Sequence, residues 1–258
     1  MIRNSFRFLE KISATREQKI WQQGILSWDD FLRCSKINGI SAAAKRYYDR
    51  KITEARRQLY EGNSSYFSGL MPQAEHWRLY DFFKDEAVYL DIETEGLSDN
   101  CDVTMVGLFD GYDTKTMIRR VNLDWRLLKR ELGRYKMVVT FNGSVFDLPF
   151  MKKRYEEVIQ KIPHYDLRFS CTRIGLTGGL KRIEKKLKIR RGNAIVDGMH
   201  AGDATQLYKM WRGSGDDHYL KLMVEYNEED VINLKRIAEH TYNALKFRCQ
   251  QQPIKTSC

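Results

Sequence analysis

With 258 residues, 44 Lys and Arg against 34 Asp and Glu, and a net charge of +10, the chain can bury a substantial core and suits a polyanionic partner. At 42% hydrophobic and 12% aromatic it is too apolar for a disordered tail protein, yet no apolar run nears the roughly 20 residues that cross a bilayer, so no membrane role is expected. Five cysteines at irregular spacings, with no CxxC and no Cys/His cluster, exclude a zinc framework and read as reduced thiols.

The first residues, MIRNSFRFLEKIS, contain no apolar stretch ending in small residues, so they read as mature structure with a cytoplasmic compartment expected. Residues 1–80 read as a helical, basic region. Residues 16–22 predict a short helix, Gly24 and Ile25 its turn, and Ser27 the cap of a second helix opening Trp28-Asp29-Asp30. The pair resembles a degenerate helix-hairpin-helix, an element that grips phosphate backbone, although KISATRE lacks the usual loop glycines; the other reading is a helical cap packing its Trp and Phe. A helix over 41–60 carries Lys45, Arg46, Arg50, Lys51, Arg56 and Arg57, either a solvated face or a nucleic-acid contact. The stretch EGNSSYFSGLMPQ, rich in Gly, Ser, Asn and Pro, reads as a linker or crossover with a boundary at 69–73.

Residues 81–245 then alternate β-rich runs with amphipathic helices. AVYLDI at 87–92 is a strand; 102–110 and 114–121 are two more, joined by a turn at 110–113; 124–132 is a helix and 136–141 a fourth strand. The order predicts an α/β domain, a mixed sheet flanked by helices. Residues 246–258 lack periodicity and read as a loose tail.

Chemistry concentrates in a few acidic residues. In a strand, residues two apart share a face, so Asp91 and Glu93 can reach one cation while Ile92 packs behind them. Asp147, after Asn142-Gly143 at a strand end, is either a helix N-cap or a third carboxylate at the place where α/β sheets hold ligands. Tyr226 and Asp230 lie four apart on one helix face. Clustered carboxylates repel one another, and hard divalent cations are the simplest partner that neutralises them.

The ordered motifs DIET, FNGSVFDLPF, HYDL, GGLKRIEKKLKI and YNEEDV, over residues 87–240, resemble the DEDDy exonucleases of the ribonuclease H-like superfamily, specifically the YprB-like group, and are also similar to the proofreading exonuclease of family B polymerases. WQQGILSWDDFL looks like the segment found ahead of such domains. The resemblance implies a ribonuclease H-like fold with a small N-terminal helical region, and two divalent ions, Mg²⁺ or Mn²⁺. Asp91 would bridge both metals, Glu93 and Asp230 would hold the one beside the attacking water, Asp147 would serve the other, and Tyr226 would position the water.

Asn142 and Phe146 are candidates for sugar or base contact, with Phe146 alternatively in the core. Asp166 is a candidate supporting acid behind the ligands. Gly178 and Gly179 open a helix whose amides, with Lys181, Arg182, Lys185 and Lys186, could hold phosphate; KRIEKKLKIRR is otherwise a solvated face. The expected activity is 3′-to-5′ exonucleolytic hydrolysis of DNA or RNA, single-stranded or with a free 3′ end, releasing nucleoside monophosphates. The alternatives are a structure-selective endonuclease with the same metals and an inactive nucleic-acid-binding scaffold.

Overall fold

The apolar run at residue 87 becomes the central strand because both its faces are covered. The computed structural model describes residues 1–96, 98, 100–155, 158–199 and 202–251. Within it β1 (Ala87–Thr94), β2 (Val103–Phe109), β3 (Thr114–Ile118), β4 (Met137–Thr140) and β5 (His164–Asp166) form one sheet in the order β3-β2-β1-β4-β5. The first three strands are antiparallel, with Asp91 opposite Gly107, and β4 and β5 add in parallel to β1. The pairing of β4 with β1 stops at Tyr89 and Val139, so the edge of β1 beyond it lacks a strand partner.

In chain order the helices are α1 (Ala14–Trp21), α2 (Trp28–Arg33), α3 (Ala42–Tyr60), α4 (Ser64–Leu70), α5 (Tyr80–Phe83), α6 (Trp125–Leu132), α7 (Asp147–Arg154), α8 (Leu167–Arg173), α9 (Leu180–Lys186), α10 (Ala194–Gly198), α11 (Asp203–Ser214) and α12 (Asp217–Gln250). Capping follows the sequence: Ser13, Ser27 and Ser41 accept from the amides of Arg16, Asp30 and Ala44, and Gly24 takes φ +79° in the turn between α1 and α2. Val88, Leu90 and Ile92 pack on one face of the sheet with Leu128 of α6 and Met151 of α7. Tyr89, Phe109 and Tyr165 pack on the other with Leu234, Ile237 and Tyr242 of α12. A mixed sheet between helices, the fold class expected, is what the chain builds.

The N-terminal residues enter the second of these cores. Phe6, Phe8, Trp28, Phe31 and Phe67 are buried in the same cluster as Trp77, Tyr80 and Tyr242. Phe8 meets the Trp28 ring edge-on at 5.3 Å, and Arg78, itself buried, bridges Glu17 of α1 at 3.0 Å and Glu75 at 2.5 Å. Glu17 also accepts from the Phe6 amide at 2.6 Å and the Ser5 hydroxyl at 3.0 Å, so this carboxylate is satisfied on both oxygens.

Two expectations need correction. The stretch read as a linker contains α4: Gly62 at φ +70° ends the preceding helix, but Phe67 and Met71 then recur at helical spacing and are buried. Its polar composition marks the turn and hides the helix. Likewise residues 246–250, assigned to a tail, continue α12 to Gln250, with Leu245 and Cys249 against the core; residues 252–258 lie outside those described. No helix among the described residues is long and apolar enough to cross a membrane.

Candidate metal centre

β1 and α12 meet at the site. Alternation along β1 turns Asp91 and Glu93 toward α12, while that helix presents Tyr226, Asn227, Asp230 and Asn233 as a buried polar stripe against the sheet. Ligand oxygens of Asp91, Glu93 and Asp230 all lie within 4.8 Å of one another. An all-oxygen, all-carboxylate set of this spacing fits a hard divalent cation and has none of the softer donors zinc prefers.

Each carboxylate is aimed by a neighbour. Asn227 donates from Nδ2 to Asp91 Oδ2 at 3.0 Å, and it can lie this close to the sheet because residue 107 is glycine: a Cβ there would sit 1.8 Å from Asn227 Oδ1. Asp147 is not the N-cap its sequence context allows. It is the first residue of α7, behind Phe146, and its Oδ1 accepts from the Ile92 amide at 3.1 Å, completing the stretch of β1 that β4 leaves unpaired. Asp230 accepts a charge-assisted hydrogen bond from Arg191, whose wholly buried guanidinium is also bound by Glu184 at 2.9 Å, with Asn233 donating to Glu184 at 3.0 Å. Tyr226 packs its ring under Lys181, 5.1 Å from the ammonium, and Arg191, 5.4 Å away.

The loop that delivers Asp147 is held from below. Asp166 accepts from the Asn142 amide at 2.9 Å and from the Ser144 amide at 3.0 Å and hydroxyl at 2.5 Å, clasping the turn. Thr140 Oγ1 accepts from the Gly143 amide at 3.0 Å and meets His164 Nε2 at 2.8 Å; a Cβ on Gly143 would clash with this threonine. Burial pushes His164 down to about 4, so it stays neutral in this chain of bonds.

Burial and mutual repulsion raise the acids. Asp91 is held well above the usual carboxylate range, first by burial and then by Asp147, Asp230 and Glu93. Glu93 rises to about 8 by burial, with Asp230 and Asp147 adding; Asp147 rises to about 7 by burial despite its amide bonds; Asp230 rises to about 6 by burial, with Arg191 opposing. Since each folded-state value exceeds the unfolded one, these groups stabilise the metal-free protein fully below about pH 4 and less as pH rises through 6 to 8. A dication reverses this by pairing with the ionised forms. The rise in melting temperature on adding Mn²⁺ to chelator-treated protein is therefore expected to be negligible at pH 5 and several degrees at pH 8. A shift of equal size at both pH values would show that the carboxylates are not what the ion binds.

Other candidates are placed differently. Lys181 turns inward, its ammonium donating to the carbonyls of Val196 at 2.8 Å, Asp197 at 3.1 Å and Met199, so it closes the C-terminal end of α10. Arg182, Lys185 and Lys186 face outward on α9, and Gly179 stands at its N-cap with Gly178 at φ +118°. Phe146 packs against the core, 5.5 Å from the Phe150 ring, and Asn142 accepts from Arg168 at 2.8 Å. Sequence reasoning missed Asn227, Gly107, Arg191 and Glu184. Arg191 was counted within a basic run, and only the tertiary fold shows that it is the one turned inward onto Asp230.

A mixed sheet between helices, with carboxylates gathered at the carboxyl end of its central strand, is an α/β fold with its acids where such sheets hold ligands. The chain belongs to the RNase H superfamily: the family model RNase_H_2 matches residues 88–242. No curated protein and no solved structure matches the chain. Membership makes a nuclease, a hydrolase acting on nucleic acid with divalent metal, the activity the family suggests.

Proposed function

We propose that this protein is a divalent-metal-dependent 3′-to-5′ exonuclease of the DEDDy kind, with Asp91, Glu93, Asp147 and Asp230 as metal ligands and Tyr226 at the attacking water. The observation that carries it is the convergence of Asp91, Glu93 and Asp230 within 4.8 Å, with Tyr226 one helical turn before Asp230. Mg²⁺ or Mn²⁺, when bound, supplies an acidified water and neutralises charge on the phosphate and leaving oxygen.

The chain supplies the rest. Asn227 takes Asp91 Oδ2 and Arg191 takes Asp230 Oδ1, which fixes both carboxylates in rotation and leaves the second oxygen of each for a cation. Burial raises the Tyr226 hydroxyl, with Asp230 and Glu93 adding, so the phenol stays protonated and orients water by hydrogen bonding; it does not act as a base. Water attacks the terminal phosphorus, the 3′-oxygen of the next nucleotide leaves, and a nucleoside 5′-monophosphate is released. Asn142 and the outward cations of α9 are candidate contacts to the strand. The N-terminal helices are proposed as an accessory region that extends this surface.

End-labelled DNA and RNA with free or blocked 3′ ends, incubated with Mg²⁺ or Mn²⁺, test the reading. Stepwise shortening from the free 3′ end, stopped by the block, is expected. Internal cuts indifferent to the block would make the protein an endonuclease, and no cleavage with either metal would leave a nucleic-acid-binding scaffold. Tyr226→Phe is expected to lower kcat about ten- to a hundredfold with Mn²⁺ affinity nearly unchanged, because only the hydroxyl is lost; wild-type turnover in single-turnover kinetics would remove Tyr226 from the mechanism.

A further inference from the structure

A cavity of about 550 Å³ is walled by Trp77, Ser144, Tyr165, Asp166, Phe169 and Arg173. It shares its scaffold with the site, because Ser144 and Asp166 are the pair that clasps the turn delivering Asp147. Register gives the separation. Asp166 of β5 pairs with Thr140 of β4, and Val139 of β4 pairs with Tyr89 of β1, so the cavity begins two strands from Asp91, about 10 Å across the sheet. A stacked single strand covers that distance in about three nucleotides.

Its chemistry is that of a base-stacking platform. Phe169, on the first turn of α8, is 52% exposed in the wall of a mostly apolar hollow. Two exposed arginines share its helix: Arg168, the residue before it, donates to Asn142 at 2.8 Å, and Arg173, in the cavity wall, lies 5.7 Å from the Trp77 ring and donates to the Ala74 carbonyl at 2.7 Å. An exposed ring with arginines on the same helix matches how single strands are held without sequence preference, bases on rings and phosphates on cations. A paired base, with both faces covered by its neighbours and its edge occupied, cannot enter.

We propose that this cavity binds an unpaired nucleobase of the substrate strand, stacked on Phe169, a few nucleotides from the bond that is cut. The N-terminal side of the fold then contributes directly to substrate selection, since Trp77 forms one wall. The inference rests on the nuclease reading above and would make the enzyme select single-stranded 3′ ends over blunt duplex.

Binding of short single strands and blunt duplexes to full-length Asp91→Asn protein, with and without Phe169→Ala, tests it. The exposed ring can be removed without opening the core. Phe169→Ala is expected to weaken single-strand binding about five- to a hundredfold, leave duplex binding unchanged and leave the slope of log affinity against log salt unaltered, because the ring carries no charge. Phe169→Tyr is expected to retain affinity. One abasic site is then moved stepwise from the 3′ end: at a single interior position it is expected to cost as much as Phe169→Ala, and the two together no more than either alone. Additive losses at every position would overturn the proposal while leaving the nuclease reading intact, and would leave this ring to a protein surface. Failure of the protein to bind any DNA or RNA, with no cleavage by the wild type, would overturn both.

Discussion

Asp91→Asn is expected to reduce metal-dependent cleavage about a thousandfold or more and at the same time to raise the melting temperature of the metal-free protein. The two effects have one cause. Asp91 is the acid most crowded by its neighbours, with Asp147, Asp230 and Glu93 all pressing its ionisation upward. An amide removes that repulsion and can still accept the Asn227 hydrogen bond, so the fold gains where the chemistry loses an anionic ligand. Asp147→Asn is expected to behave alike, because an asparagine oxygen can still receive the Ile92 amide and finish the edge of β1. Each purified variant would be compared with wild type by cleavage rate, Mn²⁺ affinity and thermal unfolding. Undiminished cleavage in either would remove that residue from the metal site.

The acids were legible from the sequence because their signals are local. Asp91 and Glu93 share a face by strand alternation, and Tyr226 and Asp230 by helical spacing, each within a few residues. Asp147 was legible as a residue, but only the early end of β4 shows why its carboxylate reaches across to the Ile92 amide of β1. The residues that aim the acids were not legible. Asn227 matters because Gly107, distant in sequence, leaves room for it, and Arg191 matters because α9 and its following turn place Glu184 and Asp230 around it. Within the basic run, too, direction was not legible. Charge composition does not reveal direction, and Lys181 spends its ammonium on α10 while Arg182 and Lys185 stay in solvent. HYDL gave no strand signal because three residues are too few for alternation, although β5 there closes the sheet edge and carries Asp166.

Removing residues 1–72 is expected to leave a chain that does not fold cooperatively, although the whole of the family match lies beyond the cut. The deleted segment carries Phe6, Phe8, Trp28, Phe31 and Phe67, all in the cluster that also contains Trp77, Tyr80 and Tyr242. Its loss would uncover those rings as one contiguous apolar surface, the kind that drives aggregation. Charge adds to the effect. Arg78 would lose Glu17, one of the two carboxylates that hold its guanidinium, and the Trp21 ring beside it. The expected readout is an insoluble product, or a soluble one with no thermal transition and no metal-dependent cleavage. A fragment that melts cooperatively and trims short single strands at the full-length rate would instead make the N-terminal helices a separable module, whose part in binding would then show as weaker affinity for longer strands.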